Sequence, residues 1–114
     1  MKLAQYRQGD VLIERVAEPI VIHQPEAREG GRVVLAHGEV TGHAHAIREE
    51  GAAKSAFRGE EAAGAPIQVS DLEVTAAMAA VRHEEHGAIP LEAGSYRVTR
   101  QREYAPEAIR NVAD

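Results

Sequence analysis

Short apolar runs alternate with glycine- and proline-containing breaks along this chain, and no apolar stripe with a helical period is sustained. That pattern predicts strands rather than helices. Asp10 to Val16 (DVLIERV) reads as a strand after a Gly9-Asp10 turn. Ile20, Val21 and Ile22 form a second short run between Pro19 and Pro25. A turn at Glu29-Gly30-Gly31 leads into an extended stretch from Arg32 to Ala36, and Ala44, Ala46 and Ile47 continue as a further strand. Residues 67–82 open with alternating Ile67, Val69, Leu72 and Val74, and their alanine-rich end is read as strand because its neighbours are strands. Residues 88–99 read as strand, a Glu92-Ala93-Gly94 turn, then strand. Residues 48–66 are rich in Ala, Gly and charge, with Phe57 as the one large apolar anchor, so a mobile hairpin loop is expected there. Pro106 is placed to open a short C-terminal helical turn. The expectation is a small single-domain all-β protein, a β-barrel or β-sandwich.

Composition narrows the function. With 114 residues the chain fits one domain. Aromatic residues make up only 4%, so the core must rest on Val, Ile, Leu and Ala, and self-association or a bound metal would supplement it. A homo-oligomer is therefore expected. A net charge of −5 argues against general nucleic-acid binding, which needs a basic face to neutralise phosphates. No cysteine is present, which excludes disulfides and thiolate metal sites. No apolar segment approaches the length of a membrane span, and the first residues contain no signal-like apolar core, so the expected location is cytoplasmic.

Histidine carries the candidate chemistry. Five of the six histidines fall in two clusters: His37, His43 and His45 in HGEVTGHAHAI, and His83 and His86 in RHEEHGAIP. Neutral imidazole is the commonest protein metal ligand and a general base near neutral pH. On an extended strand His43 and His45 leave the same face. His37 would have to fold back across Gly38 and Gly42, and His83 or His86 would close the site from a neighbouring strand. An imidazole set of this kind suits Zn²⁺, Fe²⁺, Ni²⁺ or Mn²⁺. Glu49 or Glu50 would add a carboxylate ligand, while Glu39, Glu84 and Glu85 are the candidate proton-moving or orienting groups. Two alternatives stay open: a metal-free pocket in which the imidazoles bind an anion or move protons, and solvated surface histidines.

The stretch GHAHAIREE, with His43, His45 and then Glu49 or Glu50, resembles the first motif of the cupin superfamily. The later GAIPLEAGSYRV resembles the turn of the second motif, with Pro90 and Gly94 further apart than in the family pattern and no histidine after them. The resemblance covers residues 38–98 and implies a β-barrel with an internal site where two His and a Glu bind a metal. His83 or His86 would have to replace the missing ligand. Cupins include enzymes and plain binders, so the reaction stays undefined.

Tyr96, Val98, Arg100, Arg102 and Tyr104 alternate onto one strand face, read as a half-exposed edge strand or a substrate grip. Arg100 and Arg102 are the candidate substrate-binding residues, suited to a carboxylate. The sequence thus points to a divalent-metal site that would act on a small polar molecule. The alternative is a non-catalytic homo-oligomeric assembly module with metal-free histidines.

Overall fold

In a computed structural model of the chain, which describes residues 3–38 and 40–100, all regular structure is β. The strands are β1 (Gln5–Gln8), β2 (Val11–Arg15), β3 (Val33–His37), β4 (Ala44–Ile47), β5 (Ala52–Lys54), β6 (Arg58–Ala62), β7 (Ala65–His83) and β8 (His86–Arg100). They form one 8-stranded antiparallel sheet in the order β1-β2-β8-β7-β4-β3, with β5 and β6 also paired to β7. The sheet rolls on itself. Gln8 on β1 meets His45 on β4 at 2.8 Å, although the two strands lie far apart in the pairing order. The expected short C-terminal helical turn falls outside the described residues. No helix among the described residues is long and apolar enough to cross a membrane.

The spine is the long β7–β8 hairpin, closed by Glu84-Glu85 between the paired His83 and His86. Its alternating apolar positions face inward, and Leu72, Val74, Ala79 and Val81 of β7 join Leu91, Tyr96 and Val98 of β8 in the core. Val11 and Ile13 of β2, Val33, Leu35 and Ala36 of β3 and Ile47 of β4 complete it. Three tight turns have readable chemistry. Gly9, at φ 59, and Asp10 link β1 to β2 with glycine in the first central position, as a type II′ turn requires. Ala63 and Gly64, at φ 53 and 78, form a type I′ turn between β6 and β7. Gly30 and Gly31 turn the chain into β3, as the sequence indicates.

Four local expectations need correction. Residues 48–66 are not an open loop: β5 and β6 lie within them and pair along the first half of β7. Short, Ala- and Gly-rich strands carry little periodic signal, and a long neighbour supplies the hydrogen bonds that hold them. Residues 20–22 make no strand; between Pro19 and Pro25 the run has no ladder partner, and Val21 is exposed. Residues 92–94 make no turn, because β8 runs straight through them opposite a bulge in β7 between Val74 and Met78. There Gly94 lets the Arg15 guanidinium lie against the backbone, with Nη2 donating to the Ala93 carbonyl at 2.9 Å. Finally, the Tyr96–Arg100 face is no exposed ribbon. β8 is an interior strand, and Tyr96 and Val98 are buried.

Candidate metal centre

The two histidine clusters meet at the free end of the β7–β8 hairpin. Pairing of β4 with β7, Ala46 opposite Arg82 and Ile47 opposite Val81, lays the His43–His45 segment beside the turn that carries His83 and His86. The period-two reading holds: His43 and His45 both face His83, with ring centroids 5.8 and 4.3 Å from it. His86 lies 4.7 Å from His83 and 6.0 Å from His45. Donor atoms of His43, His83 and Glu84 all lie within 4.8 Å of one another.

Each member is held by its surroundings. His43 Nδ1 lies 3.1 Å from Glu85 Oε1, which orients the ring and leaves Nε2 free. Glu84 Oε1 accepts the Ala44 amide proton at 3.0 Å; that bond, with its own amide, keeps the Glu84 carboxyl below its ordinary value. His83 Nδ1 accepts the Glu85 amide at 3.0 Å. Burial, then the neighbouring His45 and His86, pushes the His83 imidazole below its ordinary value and favours the neutral ring. His45 is buried. Its Nδ1 carries a proton, because Gln8 Nε2 already donates to the carbonyls of Val81 and Gly87, at 3.1 and 2.8 Å, and so turns Gln8 Oε1 to the ring.

Two glycines make room for the rings. A β-carbon at Gly9 would stand 3.1 Å from His86 Nε2 and 3.3 Å from His45 Cε1. One at Gly38 would stand 3.1 Å from His83 Nε2. Beside the rings opens a cavity of about 370 Å³, lined among others by Asp10, Val40, Glu85 and Arg100. Arg100 Nε donates to Asp10 Oδ2 at 3.1 Å, and its Nη2 donates to the His37 carbonyl at 2.9 Å.

Over residues 7–101 the chain matches the family model described as Domain of unknown function (DUF8820). The chain belongs to that family. No curated protein and no solved structure matches it. The DUF8820 span runs from the second half of β1 to just past β8, so it takes in β2 to β8 and both histidine clusters.

Within this DUF8820 domain, four of the five expected histidines come together: His43, His45, His83 and His86. His37 does not join them; its Nε2 pairs with Glu29 Oε1 at 3.2 Å on the exposed side of β3. Only its carbonyl reaches the site, through Arg100. Glu49 is not with them either. Its carboxylate accepts the Ala80 amide at 3.2 Å and so caps a backbone donor instead of facing the imidazoles. Glu84 and Glu85 are at the site as a prospective ligand and as the partner of His43. Arg100 lines the cavity, whereas Glu39 and Arg102 lie outside the described residues. Sequence reasoning missed Gln8 and Asp10. The turn signal at Gly9-Asp10 marked their neighbourhood, but nothing local tied it to histidines more than thirty residues away.

Proposed function

We propose that this domain binds one divalent transition metal through His43, His83 and Glu84, with His45 and His86 as the adjoining imidazoles. The observation that carries the reading is the convergence of these three donors, from β4 and the β7–β8 turn, to within 4.8 Å. Two imidazoles and a carboxylate form the donor set of Zn²⁺ hydrolytic sites and of Fe²⁺ facial triads. Bonds of about 2.0–2.2 Å require the donors to close by roughly 1 Å, a movement within reach of an exposed turn. Glu85 on His43 Nδ1 supplies the carboxylate–histidine support usual behind a metal-bound imidazole. The lone pair of His83 Nδ1 now accepts the Glu85 amide, so a cation taking that lone pair displaces an amide that water at the surface can satisfy. Three protein ligands leave a four-coordinate ion one position for water or a small polar substrate, next to the cavity.

Elemental analysis of protein prepared without chelator tests this. One metal per chain is expected, with His43→Ala/His83→Ala protein losing it while its far-ultraviolet circular dichroism is unchanged. Metal content that persists in the double variant, or wild-type protein that takes up none of Zn²⁺, Fe²⁺, Ni²⁺ or Mn²⁺, overturns the reading. The second reading, a metal-free assembly module, draws on β1 and β3, which end the pairing path among the described residues. A discrete oligomer without metal in light scattering would favour it.

A further inference from the structure

On the face of β4 away from His45, a small depression of about 160 Å³ is lined by Arg32, Arg48 and Arg82, together with His83 and Glu84, over a floor of Ala44 and Ala46. Strand register explains the grouping. Val33 pairs with Ile47, so one step further along β3 and β4 Arg32 comes opposite Arg48. Ala46 pairs with Arg82, which brings the third guanidinium to the same face from β7. Like charges facing each other across strands destabilise a sheet unless something neutralises them.

The other cations of this acidic chain mostly find carboxylates: Arg15, Lys54, Arg58, Arg97 and Arg100 all form ion pairs. Arg32, Arg48 and Arg82 form none among the described residues. Glu84 also lines the depression, and the Glu49 carboxylate interacts electrostatically with Arg82, so three positive charges meet two negative ones there and the balance stays positive. The two floor alanines are buried at 2% and 3% exposure although they lie on the outer face, which brings the arginine stems over them. Arg28 stiffens the rim. It donates to the carbonyls of Gly31, Arg48, Glu49 and Ala52, and so ties together the backbone next to Arg32 and the backbone of Arg48.

We propose that this face is a binding site for a small oxyanion, a phosphate or carboxylate group held by Arg32, Arg48 and Arg82. Guanidinium forks suit both anions, because paired N–H donors match paired oxygens. The depression is well below the roughly 300–1,000 Å³ that encloses a drug-sized ligand, so it takes the charged group alone and leaves the rest of a larger molecule outside. None of the three arginines is a proposed metal ligand, but the depression shares His83 and Glu84 with the proposed metal centre, so the anion is titrated into metal-free protein.

Calorimetric titration of the full chain, dialysed free of metal and phosphate, with inorganic phosphate and separately with malonate tests it. Saturable binding of at least one anion is expected, weakening as sodium chloride is added. Arg48→Ala/Arg82→Ala protein should bind at least about tenfold more weakly. The His37→Ala protein, altered outside both sites, should bind as the wild type does. Arg48→Lys/Arg82→Lys keeps the charge and the covering stems, and should recover part of the affinity if the alanine variant folds poorly. Preference for phosphate or for malonate tells which oxyanion the site takes. Absence of saturable binding for both, or an affinity unchanged in both arginine variants, overturns the inference.

Discussion

Asp10 stands between the His45 ring, 3.6 Å from its carboxylate, and Arg100, whose Nε donates to it at 3.1 Å. The two hold its carboxyl at about 2 instead of 3.8, His45 contributing most, against an opposing push from partial burial. A folded-state value below the unfolded one stabilises the fold above the unfolded value, and the contribution disappears as pH falls through the folded one. Part of the stability should therefore vanish between about pH 4 and pH 2. In Asp10→Asn protein, urea midpoints should fall less steeply over that range than in the wild type; parallel curves would contradict this role for Asp10. At the same scale, the pairing of His43 with His45 on one face is legible because a strand's period is two. The position of His37 is not, because its partner Glu29 lies across a turn whose geometry no local pattern specifies.

Among elements, the β6–β7 hairpin holds a correctable weakness. Ala63 is the one non-glycine residue at positive φ among the described residues, at 53°. A β-carbon in the left-handed region costs about 1–2 kcal/mol, and asparagine tolerates it better than alanine. Ala63→Asn, which creates the Asn-Gly pair favoured in type I′ turns, should raise stability by about 0.5–1 kcal/mol in chemical denaturation. No gain would mean that the turn relaxes without cost. The same segment marks a limit of pattern reading. β2, β3, β4 and the alternating half of β7 could be read from branched and apolar residues, but β5 and β6 owe their place to hydrogen bonds with β7. β8 likewise runs through turn-like residues 92–94 because β7 bulges opposite them.

For the molecule as a whole, closure of the rolled sheet depends on Gln8. Its buried amide bonds the carbonyls of Val81 and Gly87 and the ring of His45, joining β1 to β4, β7 and β8. Gln8→Ala leaves the buried Val81 carbonyl and His45 ring without this partner, and should cost about 1–3 kcal/mol by denaturant titration. A loss below about 0.5 kcal/mol would mean water replaces the amide. Apolar alternation and turn chemistry alone sufficed for an all-β chain with a histidine-based candidate site, since both are local properties of neighbouring residues. Three other features required the tertiary structure: the meeting of the two histidine clusters, the recruitment of Gln8 and Asp10, and the grouping behind β4 of three arginines that form no ion pair among the described residues. Each depends on which strands pair and in what register, and that choice is made by long-range hydrogen bonding and burial, which no short window of sequence contains.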